Sequence, residues 1–178
     1  MVDARLSGHR VVIVGGSGRL GRPVALAASA LGADLLLAGR DVRRLEWTAA
    51  EIDGRVEVRH VDPADDASTE SFARQAGAAD HLVSVATEWG YGPEGFEWAP
   101  APVTEIGGVV LLAWHLDVRG SLTVVPGPES VVSRLVCALA SAAAPVRVNV
   151  VSPGAARDVV PAVLDLFTST TTAAVVSA

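Results

Sequence analysis

The sequence predicts an α/β fold with a Rossmann-type, doubly wound parallel sheet of about seven strands and helices on both faces. Three observations predict it. Short apolar runs alternate with segments of helical periodicity, which is typical of parallel β-α-β units. The first run passes directly into the glycine-rich stretch VVIVGGSGRLG. No repeat, linker or low-complexity tract interrupts the 178 residues, so a single Rossmann-like domain over 1–178 is expected.

The first half of the chain is predicted to alternate four strands with three helices. The strands are VVIV (11–14), DLLLAG (34–39), RVEVRHV (55–61) and HLVSVA (81–86). The first helix covers 20–31 and stops at Gly32, and the second starts at Asp41 and contains VRRLEWTAAEI. The third covers STESFARQAG, with Ser68 as its cap and Gly77 as its stop.

The second half begins with TEWGYGPEGFEWAPAP (87–102), which is predicted to be a loop because of its glycines and prolines. The remaining elements continue the alternation of helices and strands. Helices are predicted over 103–116, 129–143 and near 159–167, and strands over 121–125, 146–151 and in TAAVVS.

Composition excludes several classes of function. The net charge is −6, and all 14 basic residues are scattered arginines, so nucleic-acid binding is not expected. No apolar run approaches the ~20 residues of a membrane span, and MVDARLSGHR is too polar for a signal peptide, so a cytoplasmic location is expected. The four histidines lack metal-ligand spacing, and the single cysteine, Cys137, lies in an apolar helical pattern, so no metal site is predicted.

The glycines of VVIVGGSGRLG have distinct physical roles in a turn that binds phosphate. Gly15 permits a tight turn, Gly18 lets the backbone approach the anion, and Gly21 allows close packing of the helix that follows. The amino end of that helix then faces the phosphate groups. The alternative is a strand–helix turn with a purely structural role.

These residues resemble the short-chain dehydrogenase/reductase (SDR) superfamily. VVIVGGSGRLGRPVALAASALGADLLLAGRDVRRL is similar to its opening, HVDPADDAS to its adenine-side aspartate segment, and PVRVNVVSPGAARD to its sixth strand and following loop. The resemblance extends from residue 11 to about residue 158. The glycine spacing is that of atypical and extended members, whereas VRVNVVSPG resembles the ordinary short members, so the subfamily stays open.

The resemblance implies a dinucleotide site. The pyrophosphate would be surrounded by Gly15, Ser17, Gly18, Arg19, Leu20 and Gly21. Arg40 stands where a base meets the ribose 2′-phosphate, which favours NADP over NAD, whereas Asp41 beside it is either an opposing charge or a helix cap. Asp62 would lie by the adenine and Pro63 follows it, Val85 and Ala86 are further cofactor-binding positions at the end of the fourth strand, and the nicotinamide would be flanked by Pro153 and Gly154. Pro63 has no N–H to offer the ring.

The catalytic Ser and Tyr-x-x-x-Lys set of the family has no counterpart here. The sequence contains no lysine, its only tyrosine is Tyr91, and its only asparagine, Asn149, lies in the sixth predicted strand. A phenol without a cationic neighbour has a pKa near ~10 and is a poor base at neutral pH. Any redox role is therefore expected to be reduction, with an unusual proton donor.

Half of the eight aromatic residues lie in the segment 89–98, interleaved with glutamates. Because this segment follows the fourth predicted strand, it should emerge at the carboxyl edge of the sheet, where doubly wound folds bind ligands. One interpretation is a lid over a planar or polycyclic small-molecule substrate, with Tyr91 and Glu88 as candidate catalytic groups. The other is that the aromatics cover the core or form an interface in a homo-oligomer.

Three functions remain open on the sequence. The first is an NADP-dependent reductase with a relocated proton donor. The second is a non-redox enzyme, an isomerase, dehydratase or cyclase of a small organic substrate. The third is a catalytically inactive dinucleotide-binding protein with a regulatory or partner role.

Overall fold

The computed structural model describes residues 5–85, 87–92, 95–100, 112, 116–125, 140, 144–152, 159–172 and 175–177. Nine strands lie in these ranges, and seven of them form one parallel sheet. The strands are β1 (Arg10–Val14), β2 (Asp34–Gly39), β3 (Val56–His60), β4 (Ala79–Ser84), β5 (Thr87–Gly92), β6 (Gly95–Pro100), β7 (Val118–Val124), β8 (Arg147–Ser152) and β9 (Val175–Ser177).

The sheet order is β3-β2-β1-β4-β7-β8-β9, and every neighbouring pair in it is parallel. The predicted Rossmann-type fold is confirmed. Val14 lies in register with Ala38 on one side and with Ser84 on the other, so the carboxyl ends of three central strands meet at one edge. The strand order reverses between β1 and β4, and this reversal opens a crevice at that edge.

Helices cover both faces of the sheet. They are α1 (Gly21–Ala30), α2 (Val42–Ala49), α3 (Asp66–Ala76) and α4 (Val159–Thr168). One core joins Val12 and Leu82 to Phe72 of α3, and the other joins Ile13 to α1 and α4. Alternate residues of each strand therefore enter different cores, as the continuous apolar runs require.

Two predicted helices fall largely outside the described residues. Of the predicted helix 103–116 only Leu112 and Leu116 are described, and of 129–143 only Ala140. Leu112 and Ala140 are helical, and all three residues are buried in the core that contains Phe72.

The start of α3 corrects one prediction. Asp65, rather than Ser68, caps the helix, because its carboxylate accepts the N–H groups of Ala67 and Ser68. The Ser68 hydroxyl instead accepts the N–H of Asp62 at 3.0 Å and fixes the turn before the helix. Gly77 ends α3 as predicted, with a φ of 72° that favours glycine.

The prediction of a loop over 87–102 is wrong for most of its length. Residues 87–92 and 95–100 form the antiparallel pair β5–β6, a two-stranded sheet separate from the main one. The glycines and prolines suggested a loop, but aromatic residues recur at every second position, which is the period of a strand. We call residues 87–100 the aromatic ribbon. Residues 93, 94, 101 and 102 lie outside the described residues.

Strand bounds differ from the predictions by a few residues. β4 begins at Ala79 and ends at Ser84, two residues earlier at each end than predicted, and β7 begins at Val118. Within the ranges listed above, no helix is long and apolar enough to cross a membrane, and no three metal-ligating side chains cluster.

Candidate functional site

The glycine turn (residues 15–21) connects β1 to α1 and is closed by backbone contacts. Gly15 has a φ of 85°, and its N–H donates to the carbonyl of Ala38 at 2.8 Å. A Cβ on Gly15 would lie 2.6 Å from the carbonyl oxygen of Val85. A Cβ on Gly21 would overlap the carbonyl oxygen of Gly15. Both positions therefore require glycine, which keeps a bare backbone at the carboxyl edge.

The amino end of α1 carries the features of an anion site. Leu20 is the N-cap residue, no side chain caps the helix there, and no acidic residue lies in its first turn. The positive end of the helix dipole therefore faces the turn, and no carboxylate from the first turn of α1 itself offsets it.

Arg22 is the cation nearest to the start of α1, and it is engaged elsewhere. Its Nε donates to Glu51 at 3.1 Å, and a second guanidinium nitrogen pairs with the same carboxylate. The hydrogen bonds from Arg22 hold the pKa of the Glu51 carboxyl below its ordinary value. The partners lie 29 residues apart in the chain, so no sequence pattern indicates this pair.

The end of β2 forms the second wall of the crevice. A Cβ on Gly39 would lie 3.9 Å from the nitrogen of Gly15, so the two turns nearly touch. Arg40 follows directly and is exposed. The carboxylate of Asp41 accepts the N–H of Arg44 at 3.1 Å and caps α2. Of the two roles that the sequence allowed for Asp41, the structure shows the helix cap.

Two further regions that were predicted to contact the cofactor are held in place by hydrogen bonds. The Asp62 carboxylate accepts the N–H of Ala64 at 3.0 Å, and Pro63 lies half-buried between them. Val85 donates its N–H to Val14 at 2.9 Å and is 8% exposed. Ser17, Gly18, Arg19 and Leu20 lie in the glycine turn, whereas Ala86, Pro153 and Gly154 fall outside the described residues.

The two candidate catalytic residues lie at different positions of the aromatic ribbon. Glu88 is opposite Ala99 and Tyr91 is opposite Phe96. Trp89 is opposite Trp98. The register therefore pairs the four aromatic residues of the ribbon two by two, across β5 and β6.

Comparison with known proteins identifies the fold. The chain matches no protein-family model and no curated protein sequence. Solved structures do match: a citronellol catabolism dehydrogenase of Pseudomonas aeruginosa has a TM-score of 0.82 at 20% identity, covering 99% of this chain and 95% of its own. A Brucella melitensis short-chain dehydrogenase/reductase described as a glucose/ribitol dehydrogenase has a TM-score of 0.82 at 19% identity, covering 98% and 96%. The chain has the fold of the short-chain dehydrogenase/reductases.

The SDR fold is shared by proteins of different description. A structure described as ribose-5-phosphate isomerase of Brucella melitensis matches with a TM-score of 0.80 at 22% identity, covering 99% of this chain and 92% of its own. At such low sequence identities, structural similarity shows the fold but not the reaction. The chemistry has to be inferred from the site.

Proposed function

We propose that the chain is an SDR-family protein that binds NADP(H) and catalyses a reduction. The single observation that carries the proposal is the glycine turn, where two glycines have no room for a Cβ and α1 begins without a side-chain cap. Such a turn lets a pyrophosphate approach the backbone N–H groups at the helix start. Neither feature is needed for the turn merely to connect a strand to a helix.

The proposal assigns the cofactor to residues along the carboxyl edge. The pyrophosphate would be held by Gly15, Ser17, Gly18, Arg19, Leu20 and Gly21. The adenine would lie between the turn at Asp62 and Pro63 and the end of β4 at Val85 and Ala86, and the nicotinamide beside Pro153 and Gly154. When bound, NADPH supplies the hydride of the reduction.

A preference for NADP over NAD follows from the end of β2. A carboxylate at this point would bind the ribose 2′-hydroxyl and repel a 2′-phosphate. Asp41 is the only carboxylate within one residue of Arg40, and it is bonded to the N–H of Arg44 as the α2 cap. Arg40 is then the charged residue that faces the ribose, and a guanidinium pairs well with phosphate.

The reductive direction follows from the missing lysine. An alkoxide formed by hydride addition needs a proton donor, and a neutral phenol can serve as one. Oxidation of an alcohol would need a phenolate, which is scarce at neutral pH without a nearby cation. We assign the donor role to Tyr91 rather than to Glu88, because the register pairs Tyr91 with Phe96, among the aromatic residues of the ribbon, and Glu88 with Ala99.

The aromatic pairs of the ribbon define the proposed substrate class. Two cross-strand aromatic pairs, Trp89–Trp98 and Tyr91–Phe96, follow the carboxyl end of β4 within fourteen residues of sequence. A surface of this composition favours a planar or polycyclic small molecule, which gains from stacking and from apolar burial.

A second candidate function is dinucleotide binding without catalysis. One observation favours it: Asn149, the only asparagine, is fully buried in β8 and donates its amide N–H to the carbonyl of Thr171 at 2.9 Å. It is therefore a structural residue and cannot take the place of the asparagine that often assists the family's tyrosine and lysine.

Fluorescence titration with NADPH and with NADH tests the proposal. We expect saturable NADPH binding, weaker NADH binding, and NADPH consumption with at least one polycyclic ketone. NADPH binding without turnover on a panel of aromatic and alicyclic carbonyls would favour the second candidate. Absence of binding by either dinucleotide would contradict both candidates and leave a non-redox enzyme.

A further inference from the structure

A buried polar cluster lies at the amino edge of the sheet, opposite the glycine turn. His81 of β4 is in register with Val11 on one side and with Ser121 on the other, and Ser121 is in register with Arg147 of β8. His81 is 2% exposed and Ser121 is fully buried. Three neighbouring strands thus place an imidazole, a hydroxyl and a guanidinium in one row beneath α4.

His9, His81 and Ser121 form a continuous hydrogen-bonded chain, which we call the histidine chain. Nδ1 of His9 lies 3.0 Å from Nε2 of His81, and Nδ1 of His81 lies 2.8 Å from Oγ of Ser121. When both imidazoles are neutral, each has one N–H, and the two links are satisfied with the protons running in either direction. When His81 alone is charged, its two N–H groups donate to His9 and to Ser121, so both links persist and the cost of the charge comes from burial.

The histidine chain supports the end of α4. The ring of Phe167 stacks on His81 with centroids 4.7 Å apart, and the ring centroid of His9 lies 5.2 Å from that of His81. Arg147 donates to the carbonyls of Leu166 at 2.9 Å and Phe167 at 3.0 Å, which lie in the last turn of α4, and also to that of Ser169. The carboxyl end of α4 is therefore held against the sheet by the ring of His81 and the guanidinium of Arg147.

The surroundings of His81 oppose a positive charge on it. His9, from the segment before β1, and Arg147, from β8, both disfavour the imidazolium, and Asp80 on the same strand favours it. Asp80 already accepts the N–H of Arg10 at 2.8 Å. Among the described residues, β7 and α4 contribute Ser121 and Phe167 rather than a charge. Burial is the largest cause, and together these lower the pKa of His81 to about 4.

Water can reach His81 most easily from the side of α4. Its strand neighbours belong to the central part of the sheet and cannot move without breaking several strand ladders. Phe167 and His9 instead lie at the end of a helix and in a segment outside the sheet. Lifting the end of α4 hydrates the imidazolium while β1, β4 and β7 stay paired.

We propose that the histidine chain is an acid-sensitive latch: protonation of His81 releases the carboxyl end of α4 from the sheet while the sheet itself remains folded. At neutral pH the chain of three side chains and the stacked Phe167 hold the helix down. In acid the opened form gains a proton that the closed form excludes. The latch is independent of any bound dinucleotide.

The sign and size of the effect follow from the two pKa values of His81. In the opened form the imidazole has its ordinary value of 6.5, and in the closed form the value is about 4. Opening is therefore pH-independent above 6.5 and becomes more favourable as the pH falls towards 4. Between pH 7 and pH 5 the opening equilibrium should rise roughly 20-fold.

Hydrogen–deuterium exchange with mass spectrometry at pH 7 and pH 5 tests the latch. After correction for intrinsic exchange rates, peptides within 159–172 should open roughly 20-fold more often at pH 5. Peptides from β2 (34–39) should not change. The variant His81→Gln, which cannot titrate, should lose the pH response whatever its basal opening. His60→Gln, which removes the exposed histidine at the end of β3, should keep it.

Two results would overturn the latch. Equal pH responses in 159–172 and in β2 of the unmodified protein would mean that acid acts on the whole fold, and this comparison needs no variant to fold. A selective response of 159–172 that survives in His81→Gln would mean that another group titrates.

Discussion

The two edges of the parallel sheet are built on opposite principles. At the carboxyl edge, glycines leave the backbone bare, and α1 begins without a capping side chain. At the amino edge, the histidine chain and Arg147 connect five segments through side chains: the one before β1, then β4, β7, β8 and α4. The first edge keeps its backbone free of side chains, whereas the second uses its polar side chains to hold the fold. Ligand binding and stability should therefore respond to different substitutions.

The largest expected effect comes from two glycine substitutions, one at each edge. Gly21→Ala places a Cβ against the carbonyl of Gly15, and Gly120→Ala places one 2.6 Å from the carbonyl of Asp80. Each should lower the free energy of unfolding by about 1–3 kcal/mol, the usual cost of overpacking. Only Gly21→Ala should also abolish NADPH binding, because it reshapes the glycine turn.

Urea unfolding and NADPH titration of the folded variants measure this pair. If Gly120→Ala weakens NADPH binding as strongly as Gly21→Ala does, after correction for the unfolded fraction, the two edges do not have separate roles.

The next largest effect is the pH dependence of global stability. The pKa of His81 is about 4 when folded and 6.5 ordinarily, so its contribution is complete above pH 6.5 and is lost as the pH falls towards 4. The loss should reach at most about 3 kcal/mol. Urea unfolding between pH 7 and pH 4 should show it, and His81→Gln should flatten the curve.

Glu57 gives a separate signal at the same edge. Hydrogen bonds from Arg10 and then from Arg59 lower the pKa of its carboxyl below 4.5, despite partial burial. Its contribution is present above pH 4.5 and is lost below that value. A stability loss confined to pH below 4.5 would assign the amino edge's acid response to Glu57 instead of His81.

Arg40→Ala sharpens the comparison at the carboxyl edge. Removing the guanidinium should weaken NADPH binding by about 1–3 kcal/mol, the scale of a lost charge-assisted hydrogen bond. NADH binding should not change. Paired calorimetric titrations with the two cofactors measure the difference. Equal losses for both would show that Arg40 does not recognise the 2′-phosphate.

The smallest effect on stability is expected from Tyr91→Phe, which removes one hydroxyl. The thermal midpoint should stay within about 2 °C, while reduction of a carbonyl substrate should fall, because the proton donor is lost. Trp89→Ala is the matched control for a packing role. A Tyr91→Phe variant with full turnover would remove Tyr91 from the mechanism.

The sequence by itself determined the fold class, most strand and helix positions and the glycine turn. These depend on local periodicity, on caps and on the space a residue needs, all of which act over a few neighbouring positions. Gly15 and Gly21 could be singled out because a phosphate-binding turn requires glycine at fixed spacing. The choice of Asp65 over Ser68 as a cap could not, since both are good N-cap residues and which of them caps depends on where the helix starts.

Only the tertiary structure shows the histidine chain and the strand pairing within the aromatic ribbon. His9, His81, Ser121 and Arg147 are spread over 139 positions and meet because parallel strands align them, while the sequence shows only isolated polar residues next to apolar runs. In the ribbon, the glycines suggested a loop, and only the pairing with β6 placed Trp89 opposite Trp98 and Tyr91 opposite Phe96. Contacts of this kind depend on strand register, which is set by the packing of the whole sheet rather than by any single segment.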